Sequence, residues 1–230
     1  MKLLVLFLAM LIFSGCQALH KTKLYYNEYV NPKAVVDYDN VEDADIPSEF
    51  LDRYYAVDSR LVSLRNQIDM VEAGVDAQWF ESLRATYPWV RDIGFYDNEG
   101  MFTSGSEALA YDTGIREMLV GLDKQPGSVL RHDLDRYFMV NTVKTKLDTY
   151  RFAVLDLDFS ALVDGLALDG LIVAVGDRVV VGGDGGFLDS TAFDRVSTDR
   201  DYSGSVSSGT GKYRWIRSHA SDNIVYFYAK

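Results

Sequence analysis

The chain has 230 residues and a formal net charge of −11 at neutral pH. This acidity argues against a nucleic-acid partner and against adhesion to anionic lipid, because both surfaces are negatively charged. A single cysteine excludes an internal disulfide and a metal site built from several thiolates. Hydrophobic residues make up 48% of the chain, which is typical of a globular protein with one good core or two small ones.

The first residues have the pattern of an export signal. Lys2 is followed by an unbroken apolar run, residues 3–13, which is too short to span a bilayer. The run closes on Ser-Gly-Cys, which resembles the lipobox of bacterial lipoproteins. We therefore expect a signal peptide over residues 1–15 and a lipidated Cys16, with an ordinary secretory signal as the alternative. In that family Gln17 after the cysteine favours the outer membrane over the inner one, on the periplasmic side of the envelope.

Residues 16–46 are predicted to be a tether that joins the lipid anchor to a folded body. They have little periodicity and end in the acidic stretch DYDNVEDAD. Alternating carboxylates suggest calcium, but the stretch lacks the glycine and the closing glutamate of an EF-hand loop. A solvated acidic linker is the simpler interpretation, and residues 47–230 are predicted to form a single domain.

A long amphipathic helix is predicted to start the body. Its apolar residues recur in steps of three and four, which places them on one stripe of a helix. Ser48 is a suitable N-cap, and Gly74 stands where the helix is expected to stop. A shorter helix is predicted over residues 76–86, before Pro88. The residues of the long stripe are Phe50, Tyr54, Val57, Leu61, Leu64, Ile68 and Val71.

The rest of the body is predicted to be mainly antiparallel strands, because short β-prone runs are separated by turn residues of hairpin length. The variable segment that follows the first hairpin is expected to hold a helix over residues 111–122. Residues 182–211 are rich in Gly, Ser and Asp and are expected to form a long loop, with room for one short element. The strands are expected at residues 90–96, 101–104, 137–145, 150–157, 171–175, 178–181, 213–217 and 224–229, with a short helix at 159–166.

The order of these motifs resembles the Cache family of PAS-like extracytoplasmic sensor domains. The stretch YPWVRDIGFYDNEG is similar to the family's first strand and its D-x-x-G turn. The pair YFMVNTVKT and YRFAVLDLDFSALV is similar to its central hairpin, LIVAVGDRVVVGG to its fifth strand, and GKYRWIRS to its closing strand. The resemblance implies an α+β fold: a single curved, PAS-like antiparallel sheet of five to six strands, backed by the long N-terminal helix, with a cleft on the opposite side.

The resemblance also implies a ligand site between the sheet and the segment 105–133. A small-molecule pocket needs an aromatic wall and a few aimed polar groups. An arginine there would bind a ligand carboxylate and an aspartate would bind an ammonium, so the implied ligand is an organic acid or an amine. The family's amino-acid-binding pattern is not matched, and each arginine has a surface ion pair as its alternative role. The candidate residues are Arg91, Tyr96, Tyr111, Arg116, Arg131, Asp133, Tyr137 and Asn141.

Catalysis finds little support in the sequence. The three histidines are isolated, and no nucleophile, zinc or phosphate-loop motif is present. We therefore expect no enzyme activity, cofactor or metal. The main hypothesis is a lipid-anchored sensor or small-molecule-binding module that signals through a membrane partner. The alternative is a structural or assembly lipoprotein that uses the same fold as a protein-interaction surface.

Overall fold

The computed structural model describes residues 46–71, 75–120, 128–133, 136–142, 152–182, 188–199, 201–209, 211–221 and 223–229. The predicted signal peptide, the lipidated Cys16 and the tether up to residue 45 lie outside these residues. Across the described ranges, every helix is too short or too polar to traverse a bilayer.

The described elements follow the predicted order, with additions. The helices are α1 (Ser48–Asp69), α2 (Ala77–Thr86), α3 (Glu107–Ala110), α4 (Thr113–Val120), α5 (Phe159–Val163) and α6 (Ser190–Thr198). The strands are β1 (Val90–Tyr96), β2 (Phe102–Gly105), β3 (Ser128–Asp133), β4 (Arg136–Thr142), β5 (Phe152–Leu157), β6 (Leu171–Val175), β7 (Arg178–Val181), β8 (Ser203–Ser208), β9 (Gly211–Arg217) and β10 (Ile224–Ala229).

The long helix is confirmed, and all seven residues of its predicted stripe are buried. Its ends differ from the prediction. Pro47 rather than Ser48 occupies the N-cap position, without a side-chain cap, and the helix ends at Asp69, before Gly74. The second helix begins as predicted, because the Asp76 side chain accepts a hydrogen bond from the Trp79 N–H.

The strands form two antiparallel sheets, not the single sheet that we predicted. The first sheet has the order β2-β1-β5-β4-β3, and the second sheet has the order β7-β6-β10-β9-β8. The α+β class and the antiparallel pairing are confirmed. The single sheet was wrong because the described strands pair in two separate groups: β5 pairs with β1 and β4, whereas β10 pairs with β6 and β9.

The segment predicted as a long loop, residues 182–211, contains both α6 and β8. The Asp189 side chain caps α6 by accepting from the Ala192 N–H, and Phe193 and Val196 are buried against the second sheet. Strand β8 pairs with β9 along its whole length. Tertiary pairing therefore imposes a strand on a run of serine and glycine, which have low strand propensity.

Helix α1 packs against both sheets in one core. Its stripe shares this core with residues such as Phe95 and Leu155 of the first sheet and Val173 and Tyr226 of the second. Each sheet also buries its other face: α3 and α4 cover the first sheet, and α6 covers the second. The side of the first sheet opposite α1, called the outer face below, is where the predicted ligand site would lie.

Candidate functional site

The central part of the outer face is filled by side chains. Tyr96 and Phe138 pack there against Leu109 of α3 and Ile115 of α4. The Tyr96 hydroxyl donates to the Leu109 carbonyl oxygen at 3.0 Å, and burial raises the pKa of this phenol. This apolar packing holds α3 on the sheet. The charged side chains of the outer face lie at one end of it.

At that end, two aspartates lie opposite each other on neighbouring strands. Asp92 of β1 is the register partner of Asp156 of β5, next to a β-bulge in β1. One oxygen of Asp92, Oδ1, accepts from Ser106 Oγ at 2.6 Å and from an Arg84 guanidinium nitrogen at 3.1 Å. The bulge and the Ser106 bond together place the Asp92 carboxylate beside the start of α3.

Arg136 of β4 joins this end of the sheet to the turn between α3 and α4. Its Nε donates to Asp156 Oδ2 at 2.8 Å, and its Nη1 donates to Asp112 Oδ2 at 3.0 Å. The guanidinium also lies 4.7 Å from the ring centroid of Phe138. The charged cluster consists of Arg84, Asp92, Asp112, Arg136 and Asp156.

Asp156 is the most buried member of the charged cluster, with 2% of its surface exposed. Its Oδ1 is buried and has no hydrogen-bond partner within the described ranges, whereas Oδ2 binds Arg136. Burial raises the pKa of Asp156 above its usual value, and the neighbouring Arg136 opposes that shift. A buried acceptor without a donor is costly, so this oxygen suits a group that brings an N–H or O–H.

The charged cluster holds three carboxylates and two guanidinium groups, and so carries one excess negative charge when all five groups are ionised. Both arginines already contact carboxylates. Across the residues that the structure describes, no group of three or more His, Cys, Asp or Glu side chains is arranged to hold a metal ion. The arrangement therefore suits a cationic or hydrogen-bond-donating organic group better than an anion.

The structure places the predicted site residues in several environments. Tyr96 lies on the outer face. Arg91 pairs with Asp158 at 2.8 Å. Tyr111, at the end of α3, is 84% exposed, and Arg116 is exposed on α4.

The other four predicted residues lie on β3 and β4. Tyr137 packs on the α1 side of the sheet, with its ring 5.2 Å from that of Phe159, and strand alternation puts Asn141 on the same side. Arg131 and Asp133 of β3 are the backbone partners of Phe138 and Arg136. The structure thus does not bring the eight residues together at one point.

The sequence analysis missed all five residues of the charged cluster: Arg84, Asp92, Asp112, Arg136 and Asp156. One signal was present: Asp156 is the only charged residue in the apolar strand FAVLDL, and all six of its residues are buried. A charge in such a strand requires a partner inside the fold.

Comparison with known proteins bears on the fold. No family model matches the chain, and no curated protein matches it. The extracellular domain of a protein described as a histidine kinase has 12% identity and a TM-score of 0.50, over 86% of this chain and 96% of that one. The chain shares the fold of that extracellular domain.

Two further solved structures are similar to the chain at lower TM-scores. An extracellular ligand-binding receptor from Desulfohalobium retbaense has 11% identity and a TM-score of 0.48, and the match covers 78% of this chain and 37% of the receptor. The periplasmic sensory domain of the Campylobacter jejuni chemoreceptor Tlp1 has 10% identity and a TM-score of 0.43, over 84% of this chain and 95% of that one. The chain thus spans little more than a third of the receptor.

Proposed function

We propose that this protein is an extracytoplasmic sensor module that binds a small amine at the charged cluster and signals through a partner protein. The observation that carries the proposal is the buried Asp156, whose Oδ1 faces no donor in the described part of the chain. The Cache-like fold supports a sensory role, and the acidic excess of the charged cluster supports a cationic ligand.

The positions of the arginines favour an amine over an organic acid. Arg136 is held between Asp112 and Asp156, and Arg84 contacts Asp92. A ligand carboxylate would have to displace one of these aspartates and would also meet the excess negative charge. An ammonium group would instead donate to Asp156 and offset the cost of burying its charge.

A thermal-shift screen of the purified chain tests the amine site. We expect primary amines and polyamines to raise the melting temperature, and carboxylic acids of matched carbon skeleton to have no effect. Asp156→Asn keeps the side-chain shape but removes the charge, so it should abolish the shift. Asp164→Asn, at an exposed residue of the α5 C-cap, is the matched control and should keep it.

Two results would contradict the amine proposal: stabilisation by the acids alone, or an amine shift that Asp156→Asn leaves unchanged. No stabilisation by any compound would favour the second candidate, a structural or assembly lipoprotein. The dense apolar packing of Tyr96 and Phe138 against α3 and α4 is the observation that favours this second role.

We further propose that Cys16 carries the lipid anchor and that residues 16–46 tether one sensor unit, residues 47–230, to the periplasmic side of the outer membrane. The Ser-Gly-Cys sequence after an apolar run supports this location. Metabolic labelling with a fatty-acid analogue should mark the wild-type chain and fail to mark Cys16→Ser. The signalling partner would then be a membrane protein within reach of the tether.

A further inference from the structure

A buried carboxylate interrupts the apolar stripe of α1. Asp58 lies one turn after Tyr54 and one turn before Leu61, and it is 2% exposed. A charge in that position must be satisfied by groups from the elements that pack on the helix. Asp58 is not part of the charged cluster. It belongs to the contact between α1 and the second sheet.

Four groups donate hydrogen bonds to Asp58. Its Oδ1 accepts from Ser218 Oγ and, at 3.1 Å, from the Tyr226 hydroxyl. Its Oδ2 accepts from the His219 backbone N–H at 3.1 Å and from the Tyr54 hydroxyl at 3.3 Å. These bonds fasten the turn between β9 and β10 to the middle of α1.

The His219 side chain occupies a half-buried position beside this network. Its imidazole stacks on the Tyr202 ring at 4.7 Å between centroids. The ring nitrogen Nε2 is buried and has no hydrogen-bond partner in the described residues. Arg65 of α1 donates to the His219 carbonyl oxygen at 3.0 Å, which adds a second bond between helix and turn.

The titratable and charged groups around His219 come from each element that packs on it. Helix α1 supplies Tyr54, Asp58 and Arg65, the segment before β8 supplies Tyr202, and β10 supplies Tyr226. Asp58 attracts a positive imidazole and so opposes burial, but burial has the larger effect and lowers the pKa of His219. Burial raises the pKa of Asp58 for the same reason.

We propose that the contact between α1 and the β9–β10 turn is a pH-sensitive clamp, and that protonation of His219 releases the turn from α1. A protonated imidazole has an N–H at Nε2, and in the closed clamp that donor would be buried without an acceptor. The proton is therefore accepted more readily when the ring turns out to water. Because the ring is stacked on Tyr202 and lies beside Tyr54, it turns out to water together with the β9–β10 turn. That movement breaks the bonds from the His219 backbone N–H and carbonyl oxygen to α1.

The effect of pH on clamp opening depends on which state, open or closed, binds a proton at His219 more readily. The open turn binds a proton at the ordinary histidine pKa of about 6.5, and the closed clamp resists it, so acidification through that range favours opening. At lower pH, protonation of Asp58 favours the closed clamp, because burial makes its carboxyl bind a proton more readily there. The clamp is thus weakest in mildly acidic solution.

Hydrogen exchange of the whole chain tests this inference. We expect the protection factors of residues 217–221 and of the middle of α1 to fall about tenfold between about pH 7.5 and about pH 5.5. Protection in β1 and β5 should stay constant. His219→Gln removes the titrating group and should abolish the fall, whereas His132→Gln, in the first sheet, should leave it unchanged.

An NMR titration of the wild-type His219 ring tests the inference without any substitution. The clamp predicts a pKa below that of a free histidine, with parallel shifts of the Tyr226 and Ser218 resonances. An ordinary His219 pKa would overturn the inference, as would a protection loss that persists in His219→Gln. These readouts need no ligand, so they are independent of the amine proposal.

Discussion

Asp156 is a buried charged residue whose stability depends on its partner. Its Oδ2 is bonded to Arg136, so removal of that arginine would leave a buried carboxylate without its hydrogen-bonded counter-charge. Removing the partner of a buried charge lowers the free energy of unfolding far more than breaking an exposed ion pair, because water solvates an exposed charge. The difference separates ion pairs that matter for folding from those that do not.

We expect Arg136→Ala to lower the free energy of unfolding by about 3 kcal/mol, since it leaves Asp156 buried and unpaired. Arg91→Ala is the matched control: it breaks the half-exposed pair with Asp158 and should cost about 1 kcal/mol or less. Urea denaturation of the two variants checks the comparison. Equal costs would show that Asp156 is well solvated, contrary to its burial.

At the scale of elements, close backbone contacts position the start of α3 beside the charged cluster. Gly105, the last residue of β2, has a φ of +130°, and a Cβ there would lie 2.4 Å from the Ile93 carbonyl oxygen. Ser106 follows directly, and its N–H donates to that same carbonyl oxygen at 2.8 Å. The glycine thus lets β2 approach β1 closely enough for Ser106 to reach Asp92.

Gly105→Ala should therefore destabilise the protein and disturb the charged cluster. Gly165→Ala is the control, because Gly165 also has a positive φ, +73°, but has open space around it. We expect the control to cost about 1 kcal/mol from backbone strain alone and Gly105→Ala to cost several times more. Thermal melts of both variants measure this; similar melting temperatures would contradict the close approach.

Element types were largely predictable from the sequence, but their assembly was not. The stripe from Phe50 to Ile68 identified α1 and its buried side, because helical spacing is a local property. Strand β8 escaped prediction because Ser and Gly strands depend on a partner, here β9. Asp58 lies among the apolar residues of this stripe. A charge at such a position indicates a buried polar contact, and a sequence analysis can use that signal.

The candidate site was beyond sequence reasoning for a different reason. Its five charged residues come from α2, β1, β4, β5 and the turn between α3 and α4. Strand register sets Asp92 opposite Asp156 and places β4 beside them. The packing of α2 and of the α3–α4 turn on the sheet supplies Arg84 and Asp112. That register depends on a β-bulge in β1, and no pattern in the sequence predicts the bulge. The resemblance to Cache domains implies a site between the sheet and the segment 105–133, but none of its eight candidate residues belongs to the charged cluster.

For the molecule as a whole, α1 is the element that both sheets share. The charged cluster lies on the side of the first sheet opposite α1, and the Asp58 network joins α1 to the second sheet. A ligand at one sheet and a proton at the other would thus act on elements that pack against the same helix. Coupling between them requires that each event favours one of two arrangements of α1.

The central claim is that the charged cluster binds an amine through Asp156. The most direct measurement is a crystal structure of the chain with whichever amine raises its melting temperature most. The account predicts the ligand nitrogen within hydrogen-bond distance of Asp156 Oδ1, with Arg136 still bonded to Oδ2. An amine bound elsewhere, with the outer face of the first sheet unchanged, would contradict it.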